Sequence, residues 1–209
     1  MNRDKLLEIT NRVAARLVHL GGADYEADKT VRAEDALIAR DAGIEEWDWP
    51  QGVGLYGLYL LQQACCDDRY LPFFDDWYQR NLRIGLPSRN VNTTMPYLTL
   101  VQVMDRLHHR EQYQQLCRDQ AEWLMRDLPR TRDGGFQHVT SAIGNRGGVD
   151  LHEGQLWVDA LFMTGLFLQQ AGLRFGREDW QEEALRQMLV HIKYLYRKEN
   201  GLFYHGYSF

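Results

Sequence analysis

The sequence predicts an all-α fold made of helical hairpins in two layers, and three observations predict it. Apolar residues recur at three-and-four spacing along most of the chain. These amphipathic segments alternate with segments that are apolar on nearly every side. A short motif also recurs, Gly57-Leu-Tyr-Leu-Leu-Gln-Gln-Ala64 resembling Gly165-Leu-Phe-Leu-Gln-Gln-Ala171. Helix pairs that cannot each bury their own apolar face must stack on neighbours. Alternating inner and outer helices therefore imply a two-layer ring or solenoid.

From Arg3 to Leu20, the residues Leu6, Ile9, Val13, Leu17 and Leu20 form one stripe, which predicts a helix with one buried face. A polar, irregular stretch runs to about Glu46. From Pro50 to Ala64 the pattern is apolar almost all round, with Asp48 as N-cap and Pro50 in the first turn; this predicts a helix buried on most sides. Tyr70 to Leu82 is amphipathic and Tyr97 to Met104 mostly apolar. Arg110 to Leu128 carries Tyr113, Cys117, Ala121, Leu124 and Leu128 on one stripe. Leu156 to Leu168 is apolar all round again, and Glu178 to Tyr196 places Trp180, Ala184, Met188, Ile192 and Leu195 on one face. Each inner helix follows a polar, aromatic segment: EEWDWPQG, SRNVNTTMP and GGVDLHEGQLW. In a two-layer array these segments converge at one end, which is the predicted site.

Composition narrows the function. The 209 residues are 44% hydrophobic and 25% charged, ordinary for a globular chain with one substantial core. No stretch approaches the roughly 20 apolar residues of a membrane span, and the charged start lacks the apolar run of a signal peptide, so the chain reads as cytoplasmic. A net charge of -5 with scattered Lys and Arg gives no basic face for nucleic acid. Cys65, Cys66 and Cys117 suit neither a disulfide framework nor a zinc site and read as reduced core fillers. The 6 Trp, 11 Tyr and 8 Phe, several beside polar residues, suit sugar binding as well as packing.

Among candidate site residues Asp159 ranks first. It sits inside an otherwise apolar helix, where an unpaired carboxylate is costly to bury. Desolvation raises a carboxyl pKa toward what a general acid near neutrality needs; the competing reading is a structural Asp bonded to a neighbouring helix end. Asn92, just before an inner helix, reads first as a cap, like Thr93 and Thr94. Trp49 and Trp157 bracket the same end and suit either sugar stacking or core packing. His138 and His205 follow Phe136 and Tyr204 in turn-then-extended pieces. His152 with Glu153 does not open an HExxH motif, and no metal site is evident. Neither a dinucleotide loop nor a Gly-x-Ser-x-Gly elbow is present.

The series WDWPQGVGLYGL, NVNTTMPYLTL, DGGFQH, GQLWVDALFM and NGLFYHGY resembles glycoside hydrolase family 105, the unsaturated rhamnogalacturonyl and glucuronyl hydrolases, from about Trp47 to Phe209. The resemblance implies an α/α toroid of six helical hairpins. It also implies removal of the 4,5-unsaturated uronic acid that polysaccharide lyases leave at the non-reducing end of oligosaccharides. In that chemistry one Asp protonates the vinyl ether at C4, water adds at C5, and the hemiketal opens; no metal or organic cofactor takes part. Ordinary glycosidases instead set two carboxylates across the bond. The acid/base Asp maps to Asp159, and a second polar position, Asp in some members, maps to Asn92. Trp49 and His205 map to sugar contacts, with Trp157 and His138 beside them as further substrate-binding candidates.

Family members are much longer, so residues 1–209 are expected to be one N-terminal portion of the toroid, about half of the ring. The absent half supplies the side chains that close the pocket and hold the uronate, for which Arg89 and Arg146 are candidate replacements. The uncovered inner faces point to a second copy or a separately encoded C-terminal half as partner, besides the oligosaccharide; nucleic acid and membrane are not expected. The rival reading is a non-catalytic sugar-binding or structural helical module.

Overall fold

A computed structural model describes residues 2–21, 43–142 and 145–209. Most of the expected irregular stretch before Glu46 lies outside the described residues.

Seven helices dominate the described residues. Helix α1 (Arg3–Leu17) starts where the Asn2 side chain accepts from the Lys5 N–H at 2.9 Å. Helix α2 (Trp49–Cys65) starts as expected, with Asp48 accepting from the Trp49 N–H and Pro50 in the first turn. It ends at Cys66, whose φ of 53° is left-handed. Helix α3 (Leu71–Ile84) stops at Gly85, where φ is 96°. Helix α4 (Val91–Val103) is fixed by a capping box between Asn90 and Thr93. Helices α5 (Arg110–Arg126), α6 (Leu166–Phe175) and α7 (Glu178–Leu195) complete the set.

Two layers follow from burial. Helix α4 is buried at every position except Gln102, so it is the centre of the inner layer, with α2 and α6 on either side. Even Gln102 spans that layer: it accepts from Tyr59 Oη at 3.4 Å and donates to Gln170 Oε1 at 2.9 Å, tying all three inner helices together. The outer helices α3, α5 and α7 close the core through Phe74, Trp77, Tyr78, Tyr113, Cys117, Ala121, Leu124 and Trp180. The expected α5 stripe is buried as predicted. Close approach of α2 and α4 depends on Gly52, where an added Cβ would stand 2.6 Å from Met95 Cγ and 2.7 Å from the Pro96 nitrogen.

Among the described residues six short strands sit at the helix ends. Strands β1 (Val139–Ala142) and β2 (Asn145–Leu151) pair as an antiparallel hairpin. Strand β3 (Gln155–Trp157) pairs with β6 (Gly206–Ser208), and β4 (Tyr196–Arg197) with β5 (Leu202–Phe203).

Several expectations need correcting. The third inner segment does not begin as a helix at Leu156, because Gln155–Trp157 pairs with a strand about fifty residues later in the chain; helix follows, through a π turn at Leu161–Gly165 in which Leu166 N–H bonds to Leu161 O. The α1 stripe is mostly uncovered: Ala14 alone is fully buried within the helix, Leu17 packs partly against the core, and Leu6, Ile9 and Val13 are exposed. On α2, Trp49, Val53 and Leu60 are exposed as well. The buried face of α7 is Trp180, Ala184, Gln187, His191 and Leu195, while Met188 and Ile192 join Leu185 and Leu189 on an exposed face. Of the cysteines only Cys117 fills core. Among the described residues no helix is long and apolar enough to cross a membrane.

Candidate active site

Hydrogen bonds draw the starts of the inner helices to one end of the molecule. Trp47 Nε1 donates to Thr93 O at 2.8 Å, joining the α2 and α4 entries. Ser88 Oγ donates to Gly147 O at 2.7 Å and Asn90 Nδ2 to Ser141 Oγ at 3.1 Å, which joins α4 to the β1–β2 hairpin. At the hairpin base His138 N–H donates to Gln155 O at 2.9 Å, and His152 N–H to His138 O at 3.1 Å, reaching the third inner segment. Val158 N–H donates to His205 O at 2.7 Å, so the residue leading into β6 holds the segment that carries Asp159.

Asp159 lies in the first turn of the third inner helix rather than deeper inside it. Its side chain is 38% exposed, with Oδ1 buried and unpartnered and Oδ2 3.9 Å from His205 Nε2. His138 Nδ1 stands 3.6 Å from Oδ1, outside hydrogen-bond range. Burial raises the Asp159 pKa, and His205 together with the N–H groups of Ala160 and Asp159 opposes that rise only in part. Burial, helped by His152 and His205, lowers His138 to about 3, so that ring is neutral near pH 7. A carboxyl whose pKa burial raises, beside a neutral imidazole, is an arrangement compatible with proton donation.

Trp157 organises the histidines. His138 stacks on it with ring centres 3.9 Å apart and 7° between planes, His205 meets it edge-on at 5.0 Å, and His152 is tilted against it at 5.1 Å. Trp157 and His205, with Gln155, Gly206, Tyr207 and Ser208, line an open cavity of about 410 Å³. Asp159 is not in that wall; it is two residues beyond Trp157 and faces His205.

The remaining candidates divide. Asn92 is buried in the first turn of α4 but is not the cap: Asn90 takes that role, so the capping expectation for Asn92 is corrected. Trp49 is 44% exposed at the start of α2, at the same end but outside the Asp159 cluster. Arg146 is committed elsewhere, to Glu46 at 2.8 Å, Asn81 Oδ1 at 3.3 Å and Gly85 O at 3.0 Å. Arg89 is exposed beside the Asn90 cap. Sequence reasoning weighed His152 only as a metal-motif residue; the hairpin brings it to 5.3 Å from His138 and 3.3 Å from Thr140 Oγ1. The signal was two histidines on either side of a Gly-rich stretch that includes Gly147 and Gly148. His191 on α7 was unmarked; its nitrogens face Gln187 O at 2.7 Å and Trp157 O at 3.2 Å from behind the site. Among the described residues no group of three His, Cys, Asp or Glu is placed to hold a metal ion.

The partial helical ring places the chain in the class of α/α toroids. The chain belongs to Glycosyl Hydrolase Family 88, whose model matches residues 24–209. It is 28% identical over 185 residues to the unsaturated rhamnogalacturonyl hydrolase YesR of Bacillus subtilis, covering 88% of this chain and 52% of that protein. A structure described as a possible member of the GH105 family from Klebsiella pneumoniae superposes with a TM-score of 0.84 at 31% identity, over 100% of this chain and 52% of that one. A counterpart from Salmonella enterica gives 0.83 at 32%, covering 53% of its length. The chain thus spans about half the length of the relatives it matches, and its fold is the corresponding part of an α/α toroid.

Proposed function

We propose that residues 1–209 form the acid-bearing half of a toroid that removes 4,5-unsaturated uronic acid from the non-reducing end of lyase-generated oligosaccharides. The observation that carries this reading is Asp159: a carboxyl biased toward its protonated form by burial, next to a neutral His138 and beside a cavity walled by Trp157 and His205. The family membership and the YesR likeness support the same reaction class.

In this reading Asp159 gives its proton to C4 of the vinyl ether, and positive charge develops at C5 and the ring oxygen. Water adds at C5 as the Asp159 carboxylate takes a proton from it, restoring the acid. The product is a hemiketal that opens and releases the adjoining sugar. Asn92, free of capping duty, positions substrate or water. Trp157 and His205 contact the sugar, as does Trp49 from the α2 entry; His138 stands between Trp157 and Asp159. The apolar faces on α2 and α7 are where the second half of the ring docks, and contiguous exposed apolar surface of that kind suits a partner.

The test follows ultraviolet absorbance of the conjugated double bond. The 209-residue chain is assayed alone and co-expressed with the half of the Klebsiella protein that it does not match. Absorbance is expected to fall in the completed ring. No loss in either preparation, or equal loss in Asp159→Asn, overturns the proposal.

A further inference from the structure

The geometry points to His138 as a positioning residue for Asp159: its Nδ1–H donates to Oδ1, anchoring that oxygen and leaving Oδ2 to carry the working proton. The catalytic meaning of this pairing rests on the reading of Asp159 as the acid; the pairing itself does not.

Two unpaired atoms face each other. His138 Nδ1 and Asp159 Oδ1 are 3.6 Å apart, and each is buried without a hydrogen-bond partner. A buried polar group left unmade costs about 1–3 kcal/mol, so one bond between these two relieves both. Closing to the usual length of about 2.9 Å takes well under 1 Å of movement, and catalytic bonds that are long in the empty protein tighten with substrate bound.

The moving partner is the carboxyl. His138 is 1% exposed and stacked flat on Trp157, and its backbone is held on both sides, by Gln155 O and by His152 N–H. Asp159, at the start of a helix and partly exposed, turns about its own side-chain bonds.

The other imidazoles around Trp157 are otherwise engaged. His205 is 71% exposed and faces Oδ2, not Oδ1. His152 directs Nε2 at Thr140, and His191 spans two backbone carbonyls. No Lys or Arg is within ion-pair distance of Asp159 among the described residues. Because His138 stays neutral, it has one N–H to give and does not give up the proton itself. A fixed neutral donor on Oδ1 favours the anion left after proton transfer, and it leaves Oδ2 beside His205 and the cavity wall.

The experiment reads the Asp159 carboxyl directly in the 209-residue chain, as the infrared C=O band lost in the Asp159→Asn difference spectrum, followed across pH. His138→Phe keeps a ring against Trp157 and removes the donor; His138→Asn places an amide N–H near Nδ1, and His138→Gln places one near Nε2. The titration midpoint is expected to rise by about one unit in His138→Phe and His138→Gln and to stay near wild type in His138→Asn, in line with a hydrogen bond to the charged form. If His138→Phe does not fold, the Asn and Gln pair decides the matter. Equal midpoints in Asn and Gln, or no rise on losing the donor, overturn the inference. Turnover in Asp159→Asn tests the acid's role separately, so the two failures are distinguishable.

Discussion

Helix α2 and the third inner segment are built on one plan and start differently. Trp49 stands eight residues before Gly57, and Trp157 eight residues before Gly165, so Gln51 and Asp159 occupy equivalent places two residues after each tryptophan. At α2 the nearby acid is Asp48, whose carboxylate accepts the Trp49 N–H and opens a regular helix. At the third segment a strand leads directly into the helix, a π turn follows, and Asp159 keeps Oδ1 without a partner. One copy thus opens on a capping carboxylate just before its tryptophan, and the other carries, two residues after its tryptophan, a carboxyl that caps nothing through Oδ1. The difference teaches that where strand pairing opens the helix no side-chain cap is required, and the carboxyl that follows is left without that bond.

The largest expected effect breaks or upholds that contrast. In the completed ring, Asp159→Asn should lower turnover by about 10²–10⁴-fold, the range of a general acid, while Asp48→Asn should leave turnover within about twofold, because Asn caps as well as Asp. Steady-state rates from ultraviolet absorbance check both. Comparable losses in the two variants would erase the distinction between cap and acid.

The glycines of α2 sharpen the comparison at the level of packing. Gly52→Ala forces a methyl against Met95 and the Pro96 backbone and should cost about 3 kcal/mol by overpacking. Nothing lies within 4 Å of a Cβ added at Gly57, so Gly57→Ala should gain up to about 1 kcal/mol of helix stability. Urea unfolding midpoints with unchanged slopes would measure both. A loss at Gly57 as large as at Gly52 would mean that the open face of α2 is already covered in the isolated chain.

Two carboxylates shift in opposite directions, and their pH signatures are opposite. Burial pushes Glu183 up, but hydrogen bonds from Arg186, Gln187 and Arg130 outweigh it and hold the group at about 2. A lowered folded pKa contributes stability above the ordinary Glu range near 4.5 that is lost as pH falls toward 2. Glu183→Gln should therefore cost about 3 kcal/mol at pH 7 and flatten the acid limb between those values. For Asp159 the folded pKa is raised, so stability falls as pH climbs from the usual Asp range through the raised value. Asp159→Asn should accordingly stabilise the chain at pH 7 and do little at pH 3. Urea midpoints from pH 2 to 8 check both signs.

What the sequence showed follows how local each cause is. The α2 cap, the α5 stripe and the alternation of inner and outer helices depend on neighbours within a few residues, and they read correctly. Asp159 stood out because a lone acid in an apolar run is expensive. Its surroundings did not, since β3 pairs with β6 across the length of α7, and no local periodicity reports a strand partner about fifty residues away. His152 was read only as a metal-motif residue because its place beside His138 depends on hairpin register. Asn92 looked like a cap because three candidate capping residues stand together, and the hydrogen bonds chose Asn90. The stripes on α1 and α7 predicted buried faces that these residues alone do not cover.

The two faces of α7 give the smallest expected effect on folding. Trp180, Ala184, Gln187, His191 and Leu195 pack inward, whereas Leu185, Met188, Leu189, Ile192 and Tyr196 are exposed at helical spacing. Changing Leu185 and Leu189 together to Gln removes no buried contact, so the unfolding midpoint of the isolated chain should move by less than about 0.5 kcal/mol per site. Association should respond instead. Wild-type chain is expected to self-associate as concentration rises, through apolar surface of the kind that marks partner sites, and the double variant should sediment closer to a monomer and co-purify less with a complementary half-ring. A loss of several kcal/mol in the double variant, with association unchanged, would mean that this face packs within the chain rather than against a partner.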